Sequence, residues 1–360
     1  MARDPVLITP LSQHSLDETK LFAQLAAELP EFEQPAQVRQ FQGGQSNPTY
    51  LIETAQRSFV LRKKPPGQLL PSAHMIEREF RVMAALEGRL PVPQVRFLCE
   101  DPQVIGSAFY VMDHVDGRVM FDTTLAEEPA GERRSIYRSL ATTLAQLHSI
   151  DPREVGLGDF GRPDNYVGRQ IDRWTRQYQA ARTDEIAAMD RLMAWLPEYA
   201  PKADETAIVH GDFRLGNMIY AEKGSEILAV LDWELSTLGH PLSDLAYAAL
   251  PWSLPLGGPM PGLFGADLDA MALPSEDEFL GVYAKAVGRT EIPDWPFFLA
   301  LSLFRLAGIT QGVYARSLAG NAADSSASRM HRVARGAAEL GWAIASGARA
   351  ETRAGPWRQM

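Results

Sequence analysis

The chain has 360 residues, 46% of them hydrophobic, a formal net charge of −10 and a single cysteine. That length supports two modest domains or two lobes sharing a cleft. The acidic balance argues against nucleic acid or an anionic membrane as the main partner, and the lone Cys99 excludes a disulfide framework or a cysteine-rich metal site. No signal-peptide pattern opens the chain and no uninterrupted apolar run of about 18 residues occurs, so the expectation is a cytoplasmic protein without a spanning helix.

Residues 16–29 carry apolar side chains at helical spacing and stop at Pro30. Three short strand-like runs follow at 38–41, 50–53 and 58–62. Pro65, Pro66 and Gly67 break the pattern before a helix over 74–86, and Pro91 and Pro93 precede strands at 95–98 and 108–112, with Cys99 as a strand residue. These elements predict a small strand-rich lobe crossed by one helix, residues 1–114. After Asp116-Gly117 the character changes: helices are expected at 135–148, 165–178 and 186–196, then at 275–286, 296–314 and 328–345. Residues 115–360 therefore read as a larger, mainly helical lobe, and the fold class as α+β. Within it, residues 251–274 are rich in Pro, Gly, Leu and Met, the composition of a long irregular lid or binding loop.

Between the helices of that lobe, residues 208–220 read strand, tight loop, strand. The polar centre holds His210, Gly211, Asp212 and, five positions after the aspartate, Asn217; a further apolar strand at 227–231 delivers Asp232. An acid that can take a hydroxyl proton, with an amide oxygen and a second acid that can hold Mg²⁺, is what phosphoryl transfer from ATP needs. His210 is expected to order the loop by hydrogen bonding; no second histidine stands at zinc-ligand spacing. His148 ends a helix and reads as structural, capping it or packing under the loop. Asp244, in His240-Pro-Leu-Ser-Asp244, reads as the cap that opens a helix. No Gly-x-Ser-x-Gly elbow occurs, which excludes an α/β-hydrolase-type serine nucleophile.

His210-Gly-Asp212 with Asn217 and Asp232 resembles the aminoglycoside-phosphotransferase and choline-kinase branch of the protein-kinase-like fold, where His-Gly-Asp replaces His-Arg-Asp. The resemblance implies a bilobal kinase-like enzyme using ATP and Mg²⁺, with Asp212 as catalytic acid/base and Asn217 and Asp232 as metal ligands. It also implies an ATP cradle in the small lobe. Gln42-Gly-Gly-Gln-Ser-Asn-Pro-Thr-Tyr50 lies where a phosphate-covering hairpin belongs, with Ser46 and Asn47 as donors. Phe59-Val-Leu-Arg62 matches the strand whose last residue is normally a phosphate-binding lysine. Strand alternation puts Arg62 and Lys64 on one face and Lys63 on the other. Arg62 is the expected cation, since a guanidinium keeps its charge and binds phosphate in a bidentate manner. Glu79, in Ile76-Glu-Arg-Glu-Phe80, is its expected partner, with Glu77 as competitor. Phe109-Tyr-Val-Met-Asp-His-Val-Asp-Gly117 resembles the linker that reads the adenine edge, through main-chain atoms of Asp113 and Val115 with Met112 packed nearby.

Val60-Leu-Arg-Lys-Lys-Pro-Pro-Gly67, Leu231-Asp-Trp-Glu-Leu-Ser-Thr-Leu-Gly-His-Pro-Leu-Ser-Asp-Leu-Ala246 and Phe304-Arg-Leu-Ala-Gly-Ile-Thr-Gln-Gly-Val-Tyr-Ala-Arg316 narrow the likeness. Together they resemble the phosphotransferase domain that is fused to acyl-CoA dehydrogenases in some eukaryotes and free-standing in bacteria. That subgroup implies a small-molecule hydroxyl substrate of the hydroxyacyl-CoA class. Arg305 and Arg316, eleven residues apart on a predicted helix, share a face and are candidate substrate residues. Residues 251–264 contain no acid, and an apolar segment near a basic face suits an anionic acyl compound better than a polycation. The alternative is that both arginines merely pair with carboxylates of the helical lobe. Two rival functions stand beside this one: an aminoglycoside phosphotransferase, and a nucleotide-binding pseudokinase scaffold, which the missing strand lysine favours and the intact Asp212, Asn217 and Asp232 oppose.

Overall fold

Short strands fill the first part of the chain: β1 (Leu7–Ile8), α1 (Glu18–Glu28), β2 (Gln37–Phe41), β3 (Thr49–Glu53), β4 (Ser58–Lys63), α2 (Ile76–Leu86), β5 (Val95–Cys99), α3 (Pro102–Ile105) and β6 (Phe109–Asp113). Helices dominate the rest: α4 (Ala130–Ser149), α5 (Tyr166–Ala180), α6 (Ala187–Glu198), β7 (Ala207–Val209), β8 (Met218–Tyr220), β9 (Ile227–Val230), β10 (Thr237–Gly239), α7 (Pro241–Ala248), α8 (Glu276–Ala286), α9 (Trp295–Leu318) and α10 (Ala327–Ala345). The computed structural model describes residues 6–11, 15–42, 47–65, 75–318 and 327–347. The chain forms two compact units. One comprises Met1–Met120, Val155–Leu157 and Gly216–Ser236; the other comprises Phe121–Glu154, Gly158–Leu215 and Thr237–Met360. The first boundary thus falls at 120/121 where the sequence suggested 114/115, and the β8–β9 hairpin belongs with the N-terminal unit.

In that first unit six strands form one antiparallel sheet in the order β1-β2-β3-β4-β6-β5. Alternation along β4 explains its two faces. Phe59 and Leu61 point into an apolar core with Leu21, Leu25, Ile52, Phe109 and Val111. Lys63 shares the period of Phe59 and Leu61, is buried, and donates from Nζ to the Ile105 carbonyl at the end of α3, 3.2 Å away. Val60, Arg62 and Lys64 take the other period. Helix α2 buries Ile76, Glu79, Val82, Met83 and Leu86, a helical stripe that includes one charge. β1 and α3 were not expected: two and four residues are too short to carry a periodic signal.

In the second unit β7 pairs with β10, Val209 opposite Thr237, whereas β8 pairs with β9 in the first unit. The strands on either side of the His-Gly-Asp loop therefore do not form a hairpin with each other. Helix α9 is long and apolar enough to cross a bilayer by length and composition, yet 72% of its apolar window is buried inside the protein, where it serves as the core helix of this unit. Residues 251–274 fold back on themselves: Leu263 N bonds Pro251 O, Phe264 N bonds Leu254 O, and Trp252, Leu254, Leu263 and Leu273 are buried. Gly262 permits that return, because a Cβ there would lie 2.2 Å from the Leu254 carbonyl oxygen. The expected lid is thus an anchored loop.

Candidate active site

Arg62 is the penultimate residue of β4, opposite Tyr110 of β6. Its Nε lies 2.9 Å from Glu79 Oε2 on α2, and its Nη2 lies 3.1 Å from Asp232 Oδ1 and 3.4 Å from Glu234 Oε2. Glu79 also accepts from Asn47 Nδ2 at 2.8 Å and from the Tyr110 hydroxyl at 3.0 Å. This carboxylate is 1% exposed, and burial raises its pKa to about 7 against the opposing pull of Arg62 and Tyr110. Burial works against the Arg62 charge, but Glu79, Tyr110, Asp232 and Glu234 outweigh it and hold the guanidinium above its ordinary pKa. Glu77, the competitor for Arg62, pairs with Lys64, so the two cations of that face meet two glutamates of α2.

The β8–β9 hairpin brings Asn217 and Asp232 to one end. Met218 faces Val230, and Leu231 N donates to Asn217 O at 2.8 Å, so Asp232 follows directly on the residue opposite Asn217. Asp232 adopts a left-handed backbone, φ 68° and ψ 56°, which costs a non-glycine residue about 1 kcal/mol. The 3-10 turn Trp233–Leu235 imposes it: Trp233 is buried and its Nε1 donates to Val230 O at 2.9 Å. Backbone held in a costly region by its surroundings is a mark of functional sites. One amide oxygen and one or two carboxylates on a hairpin end fit Mg²⁺, which takes hard oxygen ligands, few of them from protein. Among the described residues no group of three His, Cys, Asp or Glu forms a cage of its own.

Of the other expected nucleotide residues, Ser46 lies outside the described residues. Asn47 is buried with its amide on Glu79. Met112 is buried near the end of β6, and Val115 is half-buried beyond it. The Asp113 N–H donates to Gln94 O at 2.9 Å, and its carboxylate takes a bidentate pair from Arg96 at 2.7 and 2.6 Å.

The Asp212 loop belongs to the second unit. Gly211 has φ 86°, a left-handed turn that suits glycine, between β7 and Asp212. Asp244, from α7, accepts from the backbone N–H of both His210 and Gly211, the latter at 2.8 Å. Burial alone would raise the Asp244 pKa; the adjacent His148 ring and the His210 side chain and N–H overcome it and hold the group below the usual range. His148 Nε2 lies 3.5 Å from Asp244 Oδ2, and its Nδ1 is 2.8 Å from the Tyr283 hydroxyl. The Asp212 N–H donates to His210 Nδ1 at 3.1 Å. The Asp212 carboxylate meets Arg214 Nε at 3.2 Å and hydrogen-bonds the Tyr247 hydroxyl. Arg305 Nη2 donates to Gly211 O at 2.6 Å, and its guanidinium lies 4.5 Å over the Tyr247 ring.

Asp244 is not the helix cap expected from the sequence. Pro241 opens α7 and His240 caps it, accepting from Leu242 N at 3.3 Å, which leaves the Asp244 carboxylate free to hold the loop. Arg305 binds a carbonyl and not a carboxylate. Arg316, exposed in the last turn of α9, stands roughly 16 Å further along the helix axis. Glu234 and Tyr247 were missed. The Asp232-x-Glu234 spacing offered a signal for the first; nothing in the sequence marked the second.

Residues 37–296 match the profile of the phosphotransferase enzyme family. The chain is 45% identical over 314 residues to mouse acyl-CoA dehydrogenase family member 10, covering 87% of this chain and 29% of that protein. It is 45% identical over 318 residues to human acyl-CoA dehydrogenase family member 11, covering 86% of this chain and 41% of that protein. The chain thus spans less than half the length of these curated relatives. A Ralstonia eutropha crystal structure, provisionally described as an aminoglycoside phosphotransferase, matches with a TM-score of 0.86 and 43% identity over 93% of this chain and 100% of that one. The aminoglycoside phosphotransferase APH(4)-Ia, in a ternary complex with AMP-PNP and hygromycin B, shares the fold at a TM-score of 0.60 and 15% identity, over 92% of this chain and 99% of that one. The strand cation, helix glutamate, hairpin carboxylate and clamped Asp212 loop are thus set in an α+β, protein-kinase-like chain that belongs to the phosphotransferase enzyme family.

Proposed function

We propose that the protein is an ATP- and Mg²⁺-dependent kinase that phosphorylates a small-molecule hydroxyl, with a hydroxyacyl-CoA as the acceptor. The observation that carries this reading is the double engagement of Arg62, by Glu79 on one side and Asp232 on the other. A strand cation held by a helix glutamate is positioned for phosphates, and Asn217 and Asp232 are the residues that would hold Mg²⁺. When bound, the metal neutralises charge on the transferring phosphoryl group. Asp212 orients the acceptor hydroxyl and takes its proton as the oxygen bonds to the terminal phosphorus and the bond to the bridging oxygen breaks. Asp244, His148 and Arg305 keep the loop that carries it in one conformation.

The acceptor class is supported by the acyl-CoA dehydrogenase relatives and by the acid-free, apolar run at 251–264. An aminoglycoside is a polycation, and Arg305 beside the Asp212 loop disfavours it. The test is ADP release from purified protein with Mg²⁺-ATP over hydroxy acids, their CoA thioesters, aminoglycosides, choline-like alcohols and homoserine. Release driven by hydroxyacyl-CoA supports the proposal. A far greater aminoglycoside response overturns the acceptor, and no response to any compound overturns the kinase reading.

A further inference from the structure

Helix α5 carries Arg169 and Arg173 four residues apart, on one face, and α9 contributes Arg305. The guanidiniums of Arg173 and Arg305 each lie 5.4 Å from the centre of the same Trp174 ring. Arg305 also covers Tyr247, whose hydroxyl bonds Asp212. Buried Tyr166 lies within the field of all three arginines. Among the described residues neither Arg173 nor Arg305 pairs with a carboxylate. Arg305 Nε is buried and makes no hydrogen bond, its Nη2 being engaged by the Gly211 carbonyl. Although its side chain is exposed, partial desolvation and then the neighbouring Arg305 charge lower the pKa of Arg173.

Like charges one helical turn apart destabilise a helix, and a buried donor without a partner costs more than an exposed one. Some other arginines bond main-chain carbonyls, Arg118 and Arg133 among them, and others are matched with acids: Arg62 with Glu79, Arg96 with Asp113, Arg289 with Glu205. The Arg173–Arg305 group is not, and it adjoins the carboxylate that takes the acceptor proton. A guanidinium placed over an aromatic ring can still donate from its remaining N–H groups to a carboxylate or phosphate.

We infer that Arg173 and Arg305, gathered at Trp174 beside the Asp212 loop, form a subsite for an anionic group of the acceptor. The assignment rests on the kinase reading of Asp212. The anion is a carboxylate or a phosphate, carried by a free hydroxy acid or by the CoA portion of a thioester. Arg173 takes the place of Arg316, which the sequence had paired with Arg305.

Calorimetric binding to the full chain tests this, using a short-chain hydroxy acid, its uncharged amide and its CoA thioester, with ADP release measured in parallel. Arg173→Gln is the informative variant, because α5 packs through Tyr166, Val167, Ile171, Trp174 and Tyr178 and Arg173 is solvent-accessible. At least one charged ligand should bind tighter than the amide, and Arg173→Gln should weaken it about tenfold, with Arg173→Lys restoring part of the loss. The KM for the acceptor should rise without a parallel rise in that for ATP. Tightest binding of the free acid assigns the carboxylate, and of the thioester, the phosphates. Equal binding of amide and charged ligands, no binding of any, or no effect of Arg173→Gln overturns the subsite. Charge-dependent binding without ADP release supports the subsite and overturns the kinase reading instead.

Discussion

Arg62 Nη2 lies 3.1 Å from Asp232 Oδ1, while Nε of the same guanidinium lies 2.9 Å from Glu79 Oε2. One cation on β4 thus ties the crossing helix to the hairpin end that carries Asp232. Arg62→Ala should raise the KM for ATP and lower kcat. It should also cost about 3–5 kcal/mol of stability, because Glu79 is left buried without its counter-charge. Lys63→Ala should lower the melting temperature, since Lys63 Nζ satisfies the Ile105 carbonyl, and should change the KM for ATP less. Steady-state kinetics and thermal melts on both variants check the ranking; a larger ATP defect in Lys63→Ala contradicts it.

On the proposed function, the Glu79 pKa predicts a pH dependence for the nucleotide step. Its folded value of about 7 stands above the ordinary 4.5. Between those values the folded state holds more protons than the unfolded chain, so this group's contribution to stability is present at low pH and is lost as pH rises through about 7. Activity runs the other way, because the ion pair with Arg62 needs the ionised carboxylate. We expect kcat/KM for ATP to rise with pH through about 7, and Glu79→Gln to flatten that limb. A limb that persists unchanged in Glu79→Gln assigns it to another group.

Much of the N-terminal unit was legible because its strands alternate cleanly. Alternation in β4 separated Arg62 from Lys63, and the apolar stripe of α2 set Glu79 at its edge. Strand pairing around Asp212 was not legible. β7, β8 and β10 have three residues each, too few to encode a partner, so the run at 208–220 read as one unit although its strands join different sheets. The role of Asp244 was obscured by Pro241, which opens the helix earlier than Asp244 suggested. Arg173 and Tyr247 come near Arg305 only through tertiary packing, which no local pattern reports.

Asp244 should matter to folding before chemistry. Asp244→Ala leaves the buried His210 and Gly211 N–H groups without their acceptor, a loss of roughly 3 kcal/mol. The wild-type carboxylate has a folded pKa below 3.8, so its contribution is present above that value and lost as pH falls through the lower folded one. Urea denaturation at neutral and acidic pH measures both effects. A variant as stable as the parent at neutral pH contradicts the clamp.

Asp232→Ala should raise the Mg²⁺ concentration needed for half-maximal activity and nearly abolish transfer, with Asn217→Ala acting more mildly. The pair shares one hairpin end, and metal ions neutralise the transferring phosphates. Glu234→Gln should have the smaller effect of a residue that reaches Arg62 at 3.4 Å. Metal titrations on the three variants separate these roles; unchanged metal dependence in both Asp232→Ala and Asn217→Ala moves the ligands elsewhere.

The central claim is that Asp212 takes the acceptor's proton in a Mg²⁺-ATP reaction, and acceptor-dependent ADP formation by the parent and by Asp212→Asn tests it most directly. The Asp212 loop is held by Asp244, His210 and Arg305 through the backbone, so the variant should keep its fold and its nucleotide affinity. Turnover should fall by roughly a hundredfold or more, the scale of a positioned acid/base. Turnover within a few-fold of the parent, at equal ATP affinity, contradicts the assignment.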